Sequence, residues 1–168
     1  TATLDDYRVQ YAAYKRNPLL QRVHRQVPWV VTWDDHEVGN NYAGEIPQEP
    51  ESPKGYGKRR AAAYQAYWEH MPIRTGPPDE DGSLQIYRSV RLGTLAEFFV
   101  LDGRQYRSDQ VCGDQLAVAA SKCTDRLDED RTMLGAEQER WLAEGLAAND
   151  TTWTVIAQQT VMFPLVLN

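Results

Sequence analysis

The chain has 168 residues, 42% of them hydrophobic and 25% charged, so it can bury a sizeable single core and is too apolar for global disorder. Its net charge of −6 argues against a general binder of nucleic acid or anionic membranes. No stretch approaches the roughly 20 apolar residues of a membrane helix.

The opening residues, "TATLDDYRVQ", contain no signal-peptide core, so an exported protein would be mature here or the chain an internal piece. Residues 3–15 read as an amphipathic helix, with Leu4, Tyr7, Tyr11 and Tyr14 at three- and four-residue steps. Thr3 suits its N-cap, and Asp5 and Asp6 suit its positive first turn. Asn17-Pro18 ends that helix, and Leu19, Leu20, Val23 and Val27 suggest a second short one before Pro28. "WVVTW", at 29–33, is β-branched and aromatic and reads as a buried strand.

From Gly39 to Gly57 the chain is rich in Gly, Pro, Asn and Glu, the composition of a long surface loop. "YGKRRAAAYQAYWEHM" reads as a helix with an apolar stripe of Ala63, Tyr64, Tyr67 and Met71, a solvated basic face and a stop at Pro72. His24 reads as a surface helix residue, and His70 as a cation at a helix C-terminus. "LQIYRSVRLG" and "TLAEFFVLD" read as two strands joined at Gly93, the first with a slip in alternation that suggests a bulge. After an irregular insert at 112–132, "GAEQERWLAEGLAAN" reads as a helix with Trp141, Leu142 and Leu146 on one side, and "TTWTVIAQQ" as the last strand. Helices alternating with strands predict an α/β layered fold.

The chemistry concentrates at predicted strand ends, where layered α/β folds place their sites. "TWDDHEVGNNY" sets Asp34 and Asp35 side by side after an apolar run. Adjacent carboxylates at a low-dielectric edge need a cation to offset them, and hard divalent or trivalent ions do so with carboxylate and amide oxygens. Asn40 and Asn41 could add neutral oxygens, and His36 could be a ligand or a general acid. The competing reading is a turn-forming acid run with a surface histidine. "FFVLD" ends at Asp102, and Arg104 and Arg107 follow. An arginine fork matches phosphate oxygens, but Arg107 could equally bridge Asp109 or Asp102. Gln158 and Gln159 sit at the third strand end. Neither a nucleophile elbow nor a phosphate-binding glycine loop is present. Cys112 and Cys123 could close a short disulfide loop or be two free thiols.

"WDDHEVGNNY", "FFVLDGRQYRSDQVCGD" and "LGAEQERWLAEGLAANDTTWTVIAQQTVMF", in that order, resemble the PhoD-like alkaline phosphatases of the calcineurin-like metallophosphoesterase superfamily. The resemblance spans about residues 3–168. It implies a layered β-sandwich flanked by helices, incomplete in this chain. It also implies metal-dependent hydrolysis of phosphate mono- and diesters of small molecules, with calcium and iron as cofactors, and a periplasmic or secreted location. "DDHE" resembles the superfamily's Gly-Asn-His-Asp/Glu motif, which would make Asp35 a metal ligand and His36 the general acid or phosphate binder, with Asp34 in support or the two aspartates exchanged. Asp102, Arg104 and Arg107 resemble the family's D-x-R-x-Y-R stretch and would line or support the site, with Asn40, Asn41 and Gln158 beside them. The close cysteine pair resembles that of secreted members and implies the disulfide. The family's Gly-Ser-Cys, Gly-Asp-x-x-Tyr and downstream histidine stretches are not found in this sequence. Residues 1–168 are therefore expected to be the central part of one catalytic domain, unable to complete a binuclear site alone. The alternative is a non-catalytic binding module on the same scaffold.

Overall fold

The computed structural model describes residues 2–48, 52–114 and 119–160. Helix α1 spans Leu4–Lys15. Thr3 caps it, accepting from Asp6 N–H, while the Asp6 carboxylate reaches back to the Thr3 amide at 2.8 Å. That reciprocal pair satisfies two end donors that the helix itself cannot. Helix α2, Pro18–Gln26, starts with proline, whose missing N–H costs nothing there, and Asn17 accepts from Leu19 and Leu20. Helix α3, Tyr56–His70, stops at Met71, which is already extended ahead of Pro72.

Strands β1 (Arg88–Leu92) and β2 (Ala96–Val100) pair antiparallel, and Gly93 turns between them at φ +55°. Helix α4 (Ala136–Ala148) then carries the chain to β3 (Trp153–Ala157), which lies parallel to β2. Sheet order is β1-β2-β3, a mixed α/β arrangement in which the carboxyl ends of β2 and β3 share one edge. Helix α4 covers one face: Phe99 of β2 meets Trp141 edge-on with centroids 5.8 Å apart. Strand alternation and register put Val90, Leu92, Phe98, Val155 and Trp153 on the opposite face, where Val90, Leu92 and Trp153 are exposed.

The largest core cluster lies beside the sheet, around α3: Trp33, Val38, Tyr42, Tyr56, Ala63, Tyr64, Tyr67, Leu84 and Ile86 are buried together. The Trp33 indole stacks on Tyr64 at 4.2 Å and meets the edge of Tyr67 at 5.2 Å. Offset and edge-on rings of this kind add about 0.5–1.5 kcal/mol per pair beyond burial. Helix α1 docks on α3 through a two-point ion pair, in which Arg8 Nε and Nη2 each reach Glu69 at 2.7 Å.

Four expectations need correction. Residues 29–33 are extended chain, and among the described residues no strand pairs with them; Thr32 Oγ1 donates to Leu101 O instead. Residues 84–87 precede β1 rather than belonging to it, and the register from Arg88 to Leu92 runs without a bulge. Leu84 and Ile86 alternate because they dip into the α3 core, which mimics strand periodicity. The basic face of α3 is not wholly solvated: Arg60 is buried, donating to Glu45 at 3.0 Å. His24 is half-buried, stacked on Trp29 at 4.1 Å.

Candidate active site

The Asp34–Asn41 segment leaves the buried Trp33 as a tight turn. Val38 and Gly39 N–H both donate to Asp35 O, at 2.9 and 2.8 Å, and Asp34 N–H donates to Glu37 Oε2. The Asp35 carboxylate accepts from the Asn41 amide at 2.8 Å, which holds Asn41 at φ +52°, a conformation asparagine tolerates better than most side chains. Asp35 is therefore turned inward, with a side chain 15% exposed, while His36 projects outward at 77%. His36 Nε2 lies 2.9 Å from Asn40 Oδ1 and 3.8 Å from Asp35 Oδ2.

The cation beside the aspartates is Arg104. Its Nε sits 2.6 Å from Asp34 Oδ1 and its Nη2 3.9 Å from Asp35 Oδ2, with the side chain 7% exposed. Nη1 also reaches Asn41 Oδ1 and Tyr42 O, both at 3.4 Å. The repulsion apparent in the sequence is thus offset in this structure by a guanidinium.

Arg104 is aimed by Asp102, two residues past the end of β2. The buried Asp102 carboxylate accepts from Trp33 Nε1 (3.0 Å), Arg104 N (2.9 Å), Gln105 N (3.0 Å) and Gln105 Nε2 (2.7 Å). Desolvation pushes its pKa above the usual aspartate value, and these donors oppose that rise without cancelling it. Gln138 of α4 clamps the same residue from behind, accepting from Asp102 N at 2.8 Å and donating to Asp102 O at 2.9 Å. Asp102 thus organises the site without facing solvent.

The other predicted residues separate. Asn41 joins the cluster, accepting from Gln110 Nε2 at 2.7 Å and donating to Asp114 Oδ1 at 2.9 Å. Asn40 stays on His36 through its Oδ1 and donates its Nδ2 to Gln48. Arg107 bridges neither Asp109 nor Asp102; its Nη2 donates to Gln110 Oε1 at 2.9 Å. Gln158 closes a turn on Thr160 at the end of β3, and its neighbour Gln159 lies over Gly103, where a Cβ would come within 3.1 Å of Gln159 Oε1. Cys112 and Cys123 form a disulfide with a Cα–Cα distance of 5.6 Å. Gln105, Gln110, Asp114 and Gln138 were not anticipated. Gln138 carried a signal: it lies three and four residues before Trp141 and Leu142, inside the apolar stripe of α4.

Among the described residues, no three His, Cys, Asp or Glu side chains converge as a metal shell would require. The site as described offers an exposed imidazole, a partly exposed carboxylate at Asp34 and a pinned guanidinium, a set suited to proton transfer and to orienting an anion.

The sequence profile of the PhoD-like phosphatases matches residues 1–168. Alkaline phosphatase D of Bacillus subtilis (strain 168) is 46% identical over 157 residues, covering 94% of this chain and 26% of that protein. A solved structure described as "Structure of PhoD" superimposes with a TM-score of 0.89 at 46% identity, covering 96% of this chain and 30% of that one. The chain thus spans about a quarter of the length of the curated relative it matches. With the whole of its sequence matched and its fold shared, the chain belongs to the PhoD-like phosphatase family.

Proposed function

We propose that this chain is the central part of one catalytic domain that hydrolyses phosphate mono- or diesters. The observation that carries the reading is the convergence of Asp34, Asp35 and Asn41 on Arg104 beside the carboxyl end of β2, with His36 Nε2 3.8 Å from Asp35 on the exposed side. In the reaction, a water oxygen attacks phosphorus and releases its surplus proton to solvent, while the bond to the leaving oxygen breaks. His36, exposed and hydrogen-bonded through Nε2 to Asn40, delivers the proton to that oxygen. Arg104, fixed on Asp34, offsets charge on the nonbridging oxygens, and Asp35 holds the turn that presents His36.

Family membership supports metal dependence, with calcium and iron as the proposed metals. The described residues do not by themselves fit a complete shell. Asp35 and Asp34 are the carboxylates proposed to join ligands from elsewhere in the longer protein. The apolar sheet face of Leu92, Phe98 and Trp153, partly exposed here, supports a second layer that completes a β-sandwich. The disulfide supports an exported, periplasmic or secreted protein.

The test is steady-state hydrolysis of an aryl phosphate by the full-length protein. His36→Ala lowers kcat by about 100-fold, and Asp35→Ala abolishes activity at saturating metal. Wild-type rates in Asp35→Ala overturn the role of Asp35. Full activity after exhaustive chelation overturns metal dependence. Binding of phosphate without turnover favours a binding module instead.

A further inference from the structure

Beside the candidate active site, a pocket of about 270 Å³ is lined in part by Arg107, Arg126 and Arg131. Its walls are two chain segments held together at both ends. At one end Ser108 N–H donates to Thr132 O at 2.8 Å, and Thr132 N–H donates to Ser108 Oγ at 3.0 Å. At the other, the Cys112–Cys123 disulfide joins the segment carrying Arg107 to the one carrying Arg126. The pocket is therefore built by pairing across the insert rather than by one surface loop.

Among the described residues, none of these three arginines has a carboxylate within ion-pair distance. Two aspartates also line the pocket, but each has an oxygen on a backbone amide: Asp109 Oδ1 accepts from Gln110 N–H and Asp128 Oδ1 from Asp130 N–H. Arg131 donates to the Asp109 carbonyl and Arg107 to Gln110. Arg107 is half-buried, and desolvation, with the charge of Arg104 nearby, lowers its pKa, an effect that Asp109 and Asp34 oppose without cancelling. Three guanidinium groups against two carboxylates leave the lining with a positive excess, and a desolvated guanidinium with no carboxylate at ion-pair distance favours an incoming anion.

We infer that Arg107, Arg126 and Arg131 form an oxyanion site for a phosphate group, separate from the one that is hydrolysed. Guanidinium forks match the paired oxygens of a phosphate. Gln110 links this site to the catalytic cluster, accepting from Arg107 at 2.9 Å and donating to Asn41 Oδ1 at 2.7 Å. The occupant is either the second phosphoryl group of a substrate carrying two or free inorganic phosphate. The first assignment rests on the phosphoester reading above; the site itself does not.

The experiment titrates inorganic phosphate into the metal-loaded, full-length protein by calorimetry. It also measures phosphate release from propyl phosphate and from 1,3-propanediol bisphosphate. The wild type binds two phosphates, and Arg126→Gln/Arg131→Gln weakens one of them at least tenfold. The single variant Arg126→Gln, at an exposed position, gives a smaller loss in the same direction and guards against misfolding of the double variant. If a second phosphoryl group occupies the site, the double variant also lowers the preference for the bisphosphate over the monophosphate. An unchanged preference with weakened phosphate binding assigns the site to free phosphate. Equal phosphate stoichiometry and affinity in wild type and variants overturn the inference. Absence of turnover in a wild type that keeps the arginine-dependent phosphate overturns the phosphoester reading and leaves the oxyanion site standing.

Discussion

Asp34 and Arg104, 70 residues apart in the chain, meet at 2.6 Å, and this pair ties the Trp33–Asn41 turn to the end of β2. Arg104 is nearly buried, whereas Asp34 is 42% exposed, so loss of the arginine leaves a carboxylate that water can partly rehydrate. Arg104→Ala is therefore expected to cost about 2 kcal/mol, below the range for a fully buried pair. Arg104→Lys keeps the charge, loses the fork to Asn41 and Tyr42, and recovers only part of the loss. Urea unfolding midpoints of the two variants check this order.

Asp102 accepts four N–H donors and donates none. Asp102→Asn turns an amide N–H toward at least one of those donors, and is expected to cost about 2–3 kcal/mol. Burial raises its pKa, so between the ordinary aspartate value and the raised one the folded state binds more proton than the unfolded chain. Its contribution to stability is therefore flat below the ordinary aspartate pKa and declines as pH rises from there through the raised folded value. A stability–pH curve of Asp102→Asn that keeps this decline removes Asp102 as its source.

The Glu69 carboxyl behaves in the opposite sense. Its hydrogen bonds to Arg8 hold its pKa at about 2, against an ordinary 4.5. The α1–α3 pair is thus fully stabilising above pH 4.5 and is lost as pH falls through 2. Glu69→Gln is expected to flatten that acid limb, read by circular dichroism melting between the two values. A limb as steep as wild type places the acid sensitivity elsewhere.

Gly145 offers a test in which two effects compete. Within a helix, Gly→Ala gains about 1 kcal/mol from propensity. Here a Cβ would lie 2.5 Å from Phe99 Cε1, in the seam between α4 and β2. Overpacking of that kind costs about 1–3 kcal/mol, so Gly145→Ala should destabilise, by about 1 kcal/mol net. A raised melting temperature would mean that the ring moves aside freely.

Most helices and the three strands were legible because their signals are local. Caps at Thr3 and Asn17, the stop at Pro72 and the turn at Gly93 act within a few residues. Residues 29–33 misled because an apolar β-branched run has the same composition whether it joins a ladder or packs as extended chain. The Asp34–Asp35–His36 motif pointed to the site, but Arg104 as the neighbouring cation could not be read from spacing. That contact depends on where β2 ends relative to Trp33, which is a tertiary matter. Asp114 was invisible for the same reason, and the stripe position of Gln138 marked it as buried without naming its partner, since each acts across at least 36 residues.

The Asp102 hub also bears on the order in which the molecule folds. Its partners lie 69 residues upstream at Trp33 and 36 residues downstream at Gln138. Closing contacts of that separation is slow compared with forming a helix or the β1–β2 hairpin. Hairpin and helices can therefore be native while the 102–105 loop still lacks its distant hydrogen-bond partners and Arg104 its direction. Recovery of any site-dependent property should lag behind recovery of secondary structure during refolding.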